Sequence, residues 1–144
     1  MTGAVVDAAR GWIGTPYLHQ ASAKGAGADC LGLIRGVWRE VVGREPAHVP
    51  PYTPDWAEPQ GDEALWAAGV ANLRAVPSGA DWAPGQVLLF RMRDRSVAKH
   101  LGILSRVGAT AAFVHAYSGH GVVESSLSHP WRRRVVARFL FPIS

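Results

Sequence analysis

A single cysteine, Cys30, stands in a chain of 144 residues, within "GAGADCLGLIRGVW". A lone cysteine can be a packed hydrophobe, a metal ligand or a nucleophile. Asp29, just before it, is a favoured helix N-cap type. Cys30, Leu33, Ile34, Val37, Trp38 and Val41 then recur at helical spacing up to Gly43, a C-cap type. The thiol is therefore expected in the first turn of a helix, where unpaired N–H groups and the helix dipole lower its pKa. The Asp29 carboxylate works in the opposite direction unless capping absorbs its charge. A nucleophile at this position needs an imidazole beside it.

Of six histidines, His19, His48, His120 and His129 read as loop or turn residues. His100 opens the apolar run "HLGIL" and His115 lies inside "AAFVHAYS". Neighbouring antiparallel strands can bring two such side chains together on one face. Cys30 beside one histidine, with a second polar group orienting that ring, is the arrangement of a cysteine hydrolase. The same three residues could instead bind zinc, although the chain lacks paired spacings such as C-x-x-C or H-x-x-x-H, and no metal site is expected.

These residues need elements to hold them. Thr2 is a candidate cap for a first helix carrying Val5, Val6, Ala9, Trp12 and Ile13, and "GTPY" (14–17) ends that helix. Five prolines between 46 and 60 imply a long surface loop. "GDEALWAAGVANLRAV" reads as a third helix with Asp62 as its candidate cap. From Trp82 onward come short runs rich in β-branched and aromatic residues: "GQVLLFRM", "KHLGILSRV", "TAAFVHAYS", "GVVESSL" and "RRRVVARFLFP". Helices first and strands afterwards imply an α+β domain spanning 1–144, with a mainly antiparallel sheet packed on helices.

Composition narrows the classes. Hydrophobic residues at 48% and charged ones at 18% exclude a disordered chain. One cysteine excludes an intramolecular disulfide. Asp7 and Arg10 interrupt the opening apolar stretch, so no signal peptide and synthesis in the cytoplasm are expected. No window approaches the roughly 18 apolar residues of a membrane span. A formal charge of +4 suits nucleic acid, anionic lipid or an acidic polymer alike. "WRRRVVAR" lacks an accompanying recognition-helix or RNP-like signature, so no nucleic-acid partner is expected.

"GTPY", "DCLGL" (29–33), "HLGI" (100–103) and "VHA" (114–116), in that order, resemble the NlpC-type, papain-like peptidases of bacterial cell-wall metabolism. The resemblance covers nearly the whole chain. "DCLGLIRGVWRE", "HAYSGHGVVES" and "PWRRRV" are similar to the branch found in tailed phages and gene transfer agents. The resemblance implies a papain-like fold with Cys30 as nucleophile at a helix N-terminus, His100 as base and acid, and His115 orienting His100. It implies Tyr17 as an oxyanion donor and Asp29 in substrate or loop positioning beside its capping role. Tyr17 also reads as a packing aromatic after Pro16. No cofactor is implied.

The substrate would be peptidoglycan stem peptides, cut between D-glutamate and the following diamino acid. The partners would be other tail or baseplate proteins, in a virion that acts on the wall. Two departures from the family pattern stand out. Leu31 occupies a place where many relatives have Ser, and the interval from His100 to His115 is longer than in many, which leaves another polar group or a water open as the third member. Acyltransferases share the scaffold, and a tail protein that binds wall without cutting it is a further alternative.

Overall fold

The structure, a computed structural model, describes residues 2–46 and 63–143. Helix α1 (Thr2–Arg10) is followed by a loop containing the two-residue strands β1 (Ser22–Ala23) and β2 (Gly27–Ala28), then by α2 (Cys30–Val41) and α3 (Ala64–Asn72). The alternating runs form the main sheet: β3 (Arg74–Val76), β4 (Val87–Phe90), β5 (His100–Arg106), β6 (Ala112–Tyr117), β7 (Gly121–Ser126) and β8 (Val135–Leu140). A one-turn helix, α4 (His129–Arg132), precedes β8. The strand order is β3-β8-β4-β5-β6-β7 and every pairing is antiparallel. The expected class is therefore the observed one.

Alternation along the strands separates two apolar layers. Val87, Leu89, Leu101, Ile103, Val114 and Ala116 join Val5, Ala9, Leu33 and Val37 of α1 and α2 in one core. Leu88, Phe90, Leu104 and Phe113 point to the other side, where Leu127, Trp82 and Trp131 cover them. Helices α1 and α2 meet closely because residue 36 is glycine: a Cβ there would run into the buried ring of Trp12. The Trp12 indole N–H donates to Glu40 at 2.6 Å and ties the end of α1 to α2.

"GTPY" fastens the sheet edge to this helical layer. The Gly14 N–H donates to Val122 O and the Val122 N–H to Thr15 O, both on the start of β7. The Thr15 hydroxyl, buried, accepts from the Gly25 N–H at 2.9 Å. On the far edge, the buried Arg138 guanidinium donates to the carbonyls of Pro77, Ser78, Ala80 and Asp81 and to the Gln86 side chain. One side chain thus organises the whole connection into β4.

Several expectations need correction. Thr2 lies within α1 and not before it, and Ile13 is 44% exposed beyond the helix end. The third helix stops at Asn72, and Arg74–Val76 pairs with Arg138–Leu140 as an edge strand. Three residues are too few to show a period, so only the partner strand reveals this one. Glu63 takes the cap position of α3 without a capping hydrogen bond; its carboxylate accepts from the Ala98 N–H and from Arg91. Asp62, His48 and residues 47–60 of the proline-rich loop lie outside the described residues. Among the described residues no helix is long and apolar enough to cross a membrane.

Candidate active site

Asp29 is the N-cap of α2, as its residue type implies. One carboxylate oxygen accepts from the Gly32 N–H at 2.7 Å and the other from the Gln20 N–H at 2.7 Å. A Cβ at residue 32 would collide with the Ala21 carbonyl oxygen, so the glycine of "DCLGL" lets the 20–21 loop lie against the first turn. His19 Nδ1 stands 3.8 Å from the same carboxylate. Asp29 thus clasps the loop to the helix, and Cys30 follows as the first residue of α2, 7% exposed. Its thiol lies 3.7 Å from the carbonyl oxygen of Lys99, which it faces as donor and which immediately precedes β5.

His100, the next residue, lines the same cleft. Its Nε2 is 2.8 Å from His115 Nδ1, with the two rings nearly perpendicular at 82°. Both histidines are buried, His115 completely. Gly102 of "HLGI" makes room for this: a Cβ there would sit 2.9 Å from the Phe113 ring and 3.4 Å from His115 Cβ. Phe90 and Trp131 flank His100, and Phe113 and Trp131 flank His115, at centroid distances of 4.2–5.8 Å. Behind them, His115 Nε2 is 2.9 Å from the Ser125 hydroxyl on β7.

The cleft, of about 160 Å³, is lined by Cys30 and His100 together with Tyr17, His19, Asp29 and Tyr117. The Tyr17 segment runs beside Ala28: the Ala28 N–H donates to Pro16 O at 3.0 Å, and the Leu18 N–H to Ala28 O at 3.2 Å. Burial, then the nearby Cys30 and Asp29 charges, push the Tyr17 hydroxyl up to about 12, so it stays a hydrogen-bond donor at neutral pH. All five residues expected at the site are therefore close together. Four line the cleft, and His115 stands behind His100.

The electrostatics differ from the sequence expectation. Burial and the Asp29 charge push the Cys30 thiol up to about 12, outweighing the N–H groups of Leu101, Leu31 and Cys30 that favour the thiolate. Burial and the neighbouring His115 bring His100 down to about 3, and burial and His120 bring His115 down to about 4. A helix start lowers a thiol pKa when solvent reaches it; here desolvation is the larger effect. Neither charge is stable alone. Burial disfavours the charged form of both side chains. Among the described residues no group of three His, Cys, Asp or Glu is arranged to hold a metal ion.

Sequence reasoning missed Ser125, Trp131 and the cleft position of His19. Ser125 and Trp131 stand within the motifs "HAYSGHGVVES" and "PWRRRV", which assign them no role, and only the register of β6 on β7 brings Ser125 to His115.

The fold has counterparts among solved structures. The NlpC/p60 domain of the peptidoglycan hydrolase SagA superposes with a TM-score of 0.57 at 24% identity, over 88% of this chain and 90% of that one. An NLP/P60-family lipoprotein-like protein of Staphylococcus aureus gives a TM-score of 0.62 at 17% identity, over 99% of this chain and 41% of that one. An NlpC/P60-family protein of Bacillus cereus gives 0.61 at 14%, over 96% and 39%. The fold is the NlpC/P60 fold. No family model matches the sequence. Against curated proteins, the chain is 30% identical over 132 residues to the γ-DL-glutamyl hydrolase of Bacillus subtilis. That match covers 91% of this chain and 27% of the relative, so the chain spans about a quarter of that relative's length. Within the NlpC/P60 fold of this chain, Cys30 opens the helix that packs on β5, and His100 opens β5 itself.

Proposed function

We propose that the protein is a cysteine peptidase of the NlpC/P60 kind that hydrolyses an amide bond in peptidoglycan stem peptides. One observation carries this: a cysteine at a helix start shares a cleft with a histidine whose Nε2 lies 2.8 Å from Nδ1 of a second buried histidine. His100 Nε2 is engaged by His115, which leaves Nδ1 for the thiol. As Sγ attacks the carbonyl carbon, His100 Nδ1 takes the thiol proton, and the imidazolium offsets the thiolate that burial disfavours. The carbonyl oxygen gains negative charge, and in this reading the Cys30 backbone N–H and the Tyr17 hydroxyl, both at the cleft, donate to it. His100 returns the proton to the leaving amine as the C–N bond breaks. Water, deprotonated by His100, then splits the thioester and regenerates the thiol.

The bond assignment rests on resemblance. A γ-glutamyl linkage agrees with the name of the Bacillus subtilis relative, and cleavage between D-glutamate and the following diamino acid is the specific form we propose. Placement in a phage or gene-transfer-agent tail rests on the "DCLGLIRGVWRE" and "HAYSGHGVVES" likeness, and proteomics of purified particles tests it.

The deciding experiment is mass spectrometry of purified peptidoglycan fragments incubated with wild type and with Cys30→Ala. Cleaved stem peptides with wild type only establish the activity and its bond. Products joined to an added amine in place of water indicate an acyltransferase. Intact fragments in both, from folded protein, sink the peptidase reading.

A further inference from the structure

We infer that Ser125 is a positioning residue that sets the direction of the hydrogen-bond chain behind His100, and with it the availability of the base facing Cys30. The inference rests on the cysteine-peptidase reading and adds a residue to it. His115 is completely buried, and aromatic rings pack against it from Phe113 and Trp131. Both its nitrogens are engaged, Nδ1 with His100 and Nε2 with the Ser125 hydroxyl at 2.9 Å.

A neutral imidazole has one donor and one acceptor, so the chain can run in two directions. Running away from the cleft, His100 Nε2–H donates to His115 Nδ1, and His115 Nε2–H donates to the Ser125 oxygen. His100 Nδ1 is then bare and can accept the thiol proton. Running toward the cleft, the serine O–H donates to His115 Nε2, His115 Nδ1–H donates to His100 Nε2, and His100 carries its proton on Nδ1. In that direction His100 cannot act as the base.

The productive direction requires an acceptor at residue 125. Without the hydroxyl, His115 Nε2–H becomes a buried donor with no partner, a rarer situation than an unfilled lone pair. The His115 ring then moves its proton to Nδ1, and His100 is turned into the unproductive form. The serine sits half-buried on β7.

The test pairs Ser125→Thr with Ser125→Val, near-identical in shape and differing in the hydroxyl, alongside Ser125→Ala. Stem-peptide hydrolysis should show kcat about tenfold lower in Val and Ala, with KM within roughly twofold, and recovery in Thr. Long-range ¹⁵N–¹H spectra of histidine-labelled protein read the tautomers without any turnover. Wild type and Thr should show Nε2–H on both rings, and Val should move His115 to Nδ1–H. Equal kcat and equal tautomers in Thr and Val overturn the inference. Wild-type protein with both rings as Nε2–H that cleaves no stem peptide overturns the peptidase reading while the assigned direction stands.

Discussion

The two faces of β5 and β6 use the same backbone for different ends. Toward α1 and α2 they present Leu101, Ile103 and Val114, which fill space, and Ala116, which also borders the cleft. Toward the opposite side they present His100, Leu104, Phe113 and His115, where rings pack around a hydrogen-bonded pair. Successive residues point to opposite faces, so chemistry and packing alternate one residue apart. On the first face the requirement is volume. On the second it is the direction of a proton as well, and Gly102 exists there because two rings need its space.

Mutations should separate the faces cleanly. The largest effect is expected from Cys30→Ala: release of stem-peptide fragments should drop by at least about 10⁴-fold, as nucleophile removal does elsewhere. The variant should fold with a near-native melting curve. His100→Ala should lower kcat by about 10²–10⁴-fold. It should also slow iodoacetamide alkylation of Cys30 at pH 7, with reactivity returning only as the pH climbs toward the thiol's raised value, read by intact mass.

Among the space-filling residues of β5 the signature reverses. Ile103→Ala should cost about 2–5 kcal/mol of stability by urea unfolding, through lost burial and the cavity left behind. Activity per folded molecule should stay unchanged. An Ile103 variant that loses turnover while still folded would show that the two faces are coupled.

The mildest difference lies in pH dependence. His100 and His115 sit at about 3 and about 4, against an ordinary value of 6.5, so between those pH values the unfolded chain binds more protons than the native one. Their contribution to stability is complete above about pH 6.5 and is lost as pH falls toward 4 and 3. Cys30 acts in the opposite range. Its stability contribution is complete below its ordinary 9.0 and is lost as pH rises toward about 12. Melting temperatures between pH 8 and 4 should fall less steeply in His115→Asn than in wild type, and Ile103→Ala should keep the wild-type slope.

The helix bearing the cysteine was legible because its information is local. Asp29 caps, the apolar residues repeat, and Gly43 follows with φ 130° and its N–H on Trp38 O. The strands carrying His100 and His115 were legible for the same reason. What escaped depends on partners far along the chain. β3 is a strand because Arg138–Leu140 lies beside it, and Ser125 meets His115 because β7 pairs with β6 in one register. The direction of the Cys30 shift escaped too, since a cap and a dipole can be read from sequence and desolvation cannot.

Cys30 carries the one thiol in the sequence, and it is recessed in the cleft. A peptide bearing an electrophile would therefore count competent sites one per chain, with no background from other thiols. The same solitude is a liability under oxidative stress. A sulfenic acid formed at Cys30 has no resolving cysteine in this chain to trap it as a disulfide. Repair must come from a small thiol able to enter the cleft, and without one, further oxidation would silence the molecule permanently.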